Sequence, residues 1–377
     1  MSLPTVLVFR KRLLPWSETF ITSQAGAMTR YRPVLAGYAR EAGGADYLRG
    51  FPTVVLAEHG WFPALERALL RSAGRVPRRW LAALAAESPT IVHAHFGSSA
   101  VPAGHIARAL GVPLVVTYHG MDITVVPRSR AAAERRRAGF AAAQRVIAVS
   151  GFIADALRTA GCSPERITTH YIGVDTERFA PGGDRESHEV LFVGRLVEKK
   201  GVVHLLRAMQ EVRRSVPESA ITIAGDGPLR SPLAREAERL GVPVRFLGVQ
   251  TPMQVRDLMR RASVLCGPSI ADARGNAEGL PITFLEAQAC GLPVVISASG
   301  GSAEGVVEGE TGFVVPPADE VALASRLVEL LRDPARRERM GNAARRHVVE
   351  RFDLRKQTAA LESLYDEVRA GGTSPPV

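Results

Sequence analysis

Two glutamates, Glu278 and Glu286, stand eight positions apart in DARGNAEGLPITFLEAQACGLPVV (272–295). A Gly-Leu-Pro follows the first, and a second Gly-Leu-Pro opens an apolar run. Pro281 suits the first turn of a helix, where its missing N–H would have no partner anyway. ITFLEAQAC reads as that helix, stopped by Gly291. Glu278 then lies in the loop before the helix and Glu286 in its first or second turn. The free N–H groups of Gly279, Leu280 and Ile282, helped by the helix dipole, would form an anion site. Glu286 reads in two ways: as an acceptor for vicinal hydroxyls such as those of a ribose, or as a helix-start carboxylate held by the dipole. Glu278 likewise faces a sugar or takes the same dipole-stabilised role.

A second stretch, Gly194-Arg195-Leu196-Val197-Glu198-Lys199-Lys200-Gly201, follows the apolar run EVLFV. Gly194 ends a strand and a helix begins near Gly201. Arg195 and Lys200 project from this one loop. That pair suits a diphosphate, with arginine as a planar fork and lysine as a point charge; ordinary surface ion pairs are the alternative. No Asp-x-Asp pair suggests a metal site.

The elements that must hold these loops are legible as alternation. Short apolar runs (5–9, 90–95, 113–119, 145–150, then 189–194, 220–225, 242–248, 263–269 and 293–297) are separated by amphipathic stretches such as HLLRAMQEVRRSV (204–216). Strands of about six residues spaced by helices indicate βαβ units and parallel sheets. In such sheets ligands collect beyond the carboxyl ends of the strands, where both stretches fall. The chain has 377 residues, more than one core usually holds, so two domains are expected. The polar, Pro/Gly-rich FAPGGDRESHE (179–189) divides them. No apolar run reaches the roughly 18 residues of a membrane span, and the N-terminal segment reads as a first strand rather than a secretory signal. Cys162, Cys266 and Cys290 are expected as reduced thiols of a cytoplasmic protein.

Charge is uneven. Residues 1–184 hold 22 Lys+Arg against 13 Asp+Glu, a net of +9, and the remainder hold 26 against 25, a net of +1. The basic half fits an anionic acceptor or membrane surface; a solvated arginine-rich surface is the plainer reading. RALLRSAGRVPRRWLAAL (67–84), carrying Trp80, is the stretch expected against a membrane. RSRAAAERRRAGFAAAQR (128–145) reads as a basic, solvated helix.

Taken together, VGRLVEKKG, AGDGPLR and EGLPITFLEAQACGLPVV resemble the signature of retaining glycosyltransferases of family 4, including its paired glutamates. TYHGMDIT, with His119 and Asp122, resembles that family's His-Gly-x-Asp loop. VHAHFG (92–97) and GVDTERFAP (173–181) also match, and LPWSETFITSQ (14–24), with Glu18, resembles the first loop of members that build exopolysaccharides and glycoconjugates. The similarity runs from about residue 3 to 355. Two departures touch the acceptor side: Pro15-Trp16-Ser17-Glu18-Thr19 replaces a common glycine pair, and Ile172 replaces an asparagine.

The resemblance implies the GT-B fold: two Rossmann-like domains whose parallel sheets face each other across a cleft. An acceptor-binding domain is expected over 1–180 and a nucleotide-sugar domain over 181–355, with 356–377 as a helix or tail returning to the first. It implies a metal-independent, retaining hexosyl transfer with front-side attack and no cofactor. Arg195 and Lys200 would hold the diphosphate, Glu286 the ribose, Glu278 and His119 the sugar, and Gly194, Phe246 and Leu247 would line the nucleotide site. Gly279, Leu280, Pro281, Ile282, Glu18 and Asp122 complete the expected substrate contacts. His119 and Glu278 are expected outside any packed core; His93 and His95 read as structural. UDP-GlcNAc or UDP-glucose is the favoured donor. The acceptor is a hydroxyl of a glycan, a lipid-linked or anionic molecule, or a small product, with peripheral membrane contact through the basic half. A sugar-nucleotide 2-epimerase of the same fold is the alternative enzyme. A nucleic-acid-binding protein is the non-enzymatic one, disfavoured by 6% aromatic content.

Overall fold

The computed structural model describes residues 3–13, 18–41, 48–183, 185 and 188–371, except the side chains of 71–73. Pro15, Trp16 and Ser17 of the first loop lie outside the described residues. The chain forms two compact units. One runs to Gly173 and resumes at Leu354; the other spans Val174–Asp353.

Unit 1 contains β1 (Thr5–Phe9), β2 (Arg12–Leu13), β3 (Arg32–Gly37), β4 (Ala39–Arg40), β5 (Thr53–Val55), β6 (Pro89–His95), β7 (Leu114–Tyr118), β8 (Arg145–Ala148) and β9 (Ile167–Thr169). Seven of these make one parallel sheet in the order β5-β3-β1-β6-β7-β8-β9, and β2 and β4 form a short parallel pair. All five residues of TVLVF are buried, as expected for a strand covered on both faces.

Unit 2 contains β10 (Glu189–Val193), β11 (Ala220–Ala224), β12 (Val244–Gly248), β13 (Val264–Gly267), β14 (Val294–Ser297) and β15 (Gly312–Val315), ordered β12-β11-β10-β13-β14-β15 and all parallel. The helix Val202–Ser215 buries Val202, Leu205, Leu206, Met209 and Val212. That spacing is one helical face, and it packs on Val190, Ile221, Ile223 and Leu327 in a single core.

Both sheets count outward from their first strand and then reverse, the doubly wound order. The reversal lies between β1 and β6 in unit 1 and between β10 and β13 in unit 2. A crevice opens at such a switch point because the two following connections leave on opposite faces.

The last helix, Leu354–Ala370, belongs to unit 1. Its Glu362, 1% exposed, accepts from the backbone N–H groups of Thr29, Arg30 and Tyr31 at 2.9, 2.7 and 3.1 Å. Tyr365 meets His93 at 2.6 Å.

The stretch expected against a membrane folds as two helices, Pro63–Ala73 and Arg78–Ala86. Trp80 is fully buried, its ring tilted against that of Tyr38 at 5.8 Å, so it cannot be the membrane-facing aromatic. Trp61 and Phe62, by contrast, are exposed. The basic stretch 128–145 forms the helix Arg130–Ala142, whose face is largely solvated. All three cysteines are free and buried. No described helix is long and apolar enough to cross a membrane.

Candidate functional site

At the switch point of unit 2, the loop after β10 meets the loop after β13. Gly201 makes this approach possible. It takes φ +61°, and a Cβ there would lie 1.9 Å from the Pro268 carbonyl oxygen. The Ile270 N–H donates to the Lys199 carbonyl at 2.8 Å and ties the loops together.

Glu278 is placed from a third side. Its carbonyl accepts from Gly301 N–H at 3.0 Å. Gly300, at φ +61°, would put a Cβ 2.1 Å from that same carbonyl oxygen, so glycine at position 300 is required for the fit. The Glu278 carboxylate lies 2.9 Å from Lys200 Nζ and 3.4 Å from Lys199 Nζ, with Ser269 Oγ at 3.4 Å. Burial alone would raise its pKa. The two ammonium groups outweigh burial and hold it below the ordinary carboxylate value. Glu278 is only 6% exposed, contrary to its expected place outside a packed region.

Arg195 is exposed and its side chain bonds no other described residue. The helix begins at Ile282, with Pro281 as its N-cap residue rather than inside the first turn. The N–H groups of Gly279, Leu280 and Ile282 have no acceptor among the described residues. Three orphan donors, Arg195 and the paired lysines therefore belong to connections at one switch point, an arrangement suited to an anion.

Glu286 sits in the second turn of that helix, partly exposed. Burial raises its carboxyl to about 7, with Arg178 pulling weakly the other way. Gly194 (φ +157°) ends β10, and its N–H donates to Ala224 at 3.0 Å. Phe246 and Leu247, half-buried at the end of β12, lie beside the end of β11, with Phe246 opposite Ile223; Arg230 lies over the Phe246 ring at 5.9 Å.

In unit 1 the sequence-derived residues have partners of their own. Asp122 accepts from the backbone N–H of His119 (3.1 Å), Gly120 (2.9 Å) and Gly97 (2.8 Å). Its carboxylate shapes the loop instead of facing outward. Glu18 forms a two-pronged pair with Arg10 at 2.9 and 2.8 Å, and Arg10 covers the Phe96 ring at 4.2 Å. His119 follows β7, with its Nε2 3.1 Å from His95 Nδ1 and its ring packed on Phe96 and Phe20. Burial drives its pKa down to about 3, so it is neutral at any working pH. Its Nδ1 is buried and has no partner among the described residues. His93 and His95 are buried; His93 bonds Thr117 and Tyr365 at 2.7 and 2.6 Å. No group of three metal-ligating side chains occurs among the described residues.

Lys199, Ser269 and the Gly300-Gly301 pair escaped the sequence reading. Lys199 was visible beside Lys200. Nothing local marked Gly300, which matters only because β14 lies next to β13.

Comparison with known proteins covers both units. Residues 174–347 match the model of "Glycosyl transferases group 1" and residues 25–178 that of "Glycosyltransferase Family 4". A relative from Mycolicibacterium smegmatis is 36% identical over 71% of this chain and 75% of its own length. It is named a GDP-mannose-dependent alpha-(1-6)-phosphatidylinositol monomannoside mannosyltransferase. A putative colanic acid biosynthesis glycosyltransferase of Salmonella typhimurium is 31% identical over 73% and 70%. The crystal structure of Anabaena HepE with UDP and glucose superposes with a TM-score of 0.80 at 20% identity, over 97% of this chain and all of that one. That likeness fixes the fold as two Rossmann-like domains of GT-B type.

Proposed function

The chain belongs to the group 1, family 4 glycosyltransferases, and on that premise we propose that its second unit binds a nucleoside-diphosphate sugar whose hexosyl group passes to an acceptor hydroxyl with retention. The supporting observation is the switch-point cluster of Lys200, Lys199 and Glu278 beside the orphan donors of Gly279, Leu280 and Ile282. The diphosphate is an anion with many acceptor oxygens, and this is the part of unit 2 rich in unused donors. Arg195 and Lys200 neutralise charge on the departing nucleoside diphosphate, the task a metal ion performs in other transferases. Glu286 accepts from the ribose hydroxyls in its ionised form. Phe246 and Leu247 border the base.

Lys200 has two duties in this reading. Before donor binds, it neutralises Glu278; with donor present, a phosphate oxygen competes for it and Glu278 turns to the sugar hydroxyls. His119 is proposed as a neutral contact to the transferred sugar through its unpartnered Nδ1. A front-side reaction needs no carboxylate nucleophile: the acceptor proton passes to a diphosphate oxygen as the glycosidic C–O bond breaks. Catalysis is then positioning plus charge stabilisation.

The relatives support two donor bases. The mycobacterial relative is named for GDP-mannose, and the Anabaena structure holds UDP. Relatives named for phosphatidylinositol mannoside and for D-inositol 3-phosphate support a phosphate-bearing acceptor. No specific observation favours the epimerase or the nucleic-acid reading.

A thermal-shift panel of UDP, GDP, UDP-glucose, UDP-GlcNAc and GDP-mannose tests the donor site, because a ligand that binds only the folded chain raises Tm by mass action. One nucleotide series should raise Tm and its effect should fall away in Arg195→Ala. No shift with any of them at millimolar concentration would end the reading.

A further inference from the structure

Glu278 meets two ammonium groups, one on each carboxylate oxygen. Oε1 takes Lys200 at 2.9 Å and Ser269 Oγ at 3.4 Å; Oε2 takes Lys199 at 3.4 Å. Consecutive side chains of a 3-10 turn point about 120° apart, yet both lysines of the turn Glu198–Lys200 reach this one carboxylate. The two are anchored differently. The Lys199 carbonyl accepts from the Ile270 N–H at 2.8 Å, which ties the residue to the loop after β13, the loop that also supplies Ser269. The Lys200 stem runs along the end of β10: its Cε stands 3.6 Å from the place of a Cβ on Gly194, next in sequence to Arg195. Lys200 is therefore the ammonium on the Arg195 side, able to swing to an anion there, and Lys199 is the one that stays.

The donor reading given above sends Lys200 to the diphosphate. Glu278 is then left buried with one ammonium and one hydroxyl. The charged groups facing it are Lys200 and Lys199, both from the loop after β10. The loop after β13 offers the uncharged Ser269, and the turn after β14 bonds the Glu278 backbone through the Gly301 N–H. Were Lys199 absent too, neither cation would remain to offset burial, and the incoming diphosphate is itself an anion. A carboxyl that took up a proton would become a donor and lose acceptor capacity for a sugar hydroxyl.

We propose that Lys199 is a positioning residue: it stays on Oε2 and keeps Glu278 ionised and in place while Lys200 serves the diphosphate. The inference rests on the donor reading and divides the labour of two adjacent lysines. Lys200 binds the donor, and Lys199 holds the carboxylate that meets the sugar.

Calorimetry of UDP and GDP on the full chain, repeated in two buffers of different ionisation enthalpy, counts the protons taken up on binding and needs neither donor sugar nor acceptor. Lys199→Met should bind the nucleotide within about threefold of the parent's affinity, whereas Lys200→Met should lose about tenfold or more, the weight of a hydrogen bond to a charged group. Between about pH 5.5 and 7.5, Lys199→Met should take up more protons per nucleotide than the parent, by as much as about one, because Glu278 loses its last cation when Lys200 turns away. The excess should disappear in Lys199→Met/Glu278→Gln, and in Lys199→Arg, which restores the charge. Glu286 and the nucleotide phosphates also exchange protons on binding, but alike in each variant, so the differences belong to Glu278. A lysine with a merely structural role would leave proton uptake unmoved. Lys199→Gln takes the place of Lys199→Met should the latter melt below the assay temperature. No nucleotide binding by the parent would end the donor reading and this inference together. Binding by the parent with no excess uptake in Lys199→Met, or a loss of affinity there equal to that of Lys200→Met, would overturn this inference alone.

Discussion

The pair of Lys200 and Glu278 sets up a measurement that separates stability from donor binding. Lys200→Met removes the ammonium 2.9 Å from a carboxylate that is 6% exposed. Loss of one partner of a fully buried ion pair costs about 3–5 kcal/mol, because the other charge is left desolvated. Here the loss is smaller. Lys199 remains at 3.4 Å, and the lysine side chains are 17% and 21% exposed, so about 1–3 kcal/mol is expected. For a domain in this size range each kcal/mol moves Tm by about 2–4 °C, giving a drop of roughly 2–12 °C. Glu278→Gln should destabilise less, since two ammonium groups near solvent rehydrate more readily than one buried carboxylate. The double variant should recover part of the loss, with a coupling energy above about 1 kcal/mol in a double-mutant cycle by urea unfolding. Nucleotide affinity should move differently. Lys200→Met should weaken it by about 1.5–3 kcal/mol, the scale of a hydrogen bond to a charged group. Glu278→Gln should leave it unchanged or tighten it, because Lys200 is released to the diphosphate, while kcat falls about a hundred- to thousandfold. Additive stabilities within about 0.5 kcal/mol, or equal losses of nucleotide affinity in both variants, would refute the assigned exchange of partners.

Arg195→Ala should leave Tm within a degree or so, as for exposed positions, and should weaken the bound nucleotide by about 1.5–3 kcal/mol in calorimetry. Glu286 gives a pH signature. Its folded pKa of about 7 exceeds its ordinary 4.5, so the folded chain binds more protons between those values and stability falls as pH rises through that window. Glu286→Gln should therefore be more stable than the parent by about 1–3 kcal/mol at pH 8 and equal to it near pH 4.5, read from urea midpoints. Nucleotide affinity of the parent should increase from pH 6 to 8 as Glu286 ionises, and that increase should vanish in the variant. Turnover in excess chelator should match the untreated rate; loss restored by magnesium or manganese would contradict the metal-free reading.

Much of this protein is written locally. Runs such as TVLVF and EVLFV are apolar along their whole length because both faces of a parallel strand are covered, and they folded as read. The spacing of Leu205, Met209 and Val212 fixes a helix face without reference to the partner it buries against. The glutamate interval, the Gly-Leu-Pro before it and the cations after β10 announce an anion site for the same reason: backbone donors at a helix start and a strand-to-helix loop are local facts. What the tertiary structure decided is partnership. That Lys200 neutralises Glu278 depends on β10 lying beside β13, a pairing of strands some 70 residues apart that no local pattern encodes. That Gly300 must be glycine depends on Glu278 passing over it. Trp80 looked like an interfacial aromatic because tryptophan beside arginines favours an interface, yet its ring packs against Tyr38 in the core while Trp61 stays outside. The short strands Arg32–Gly37, Thr53–Val55, Ile167–Thr169 and Gly312–Val315 were unreadable for the same reason: runs of three to six residues, the first and last of them holding proline or glycine, become strands only when a neighbour supplies the other half of their hydrogen bonds.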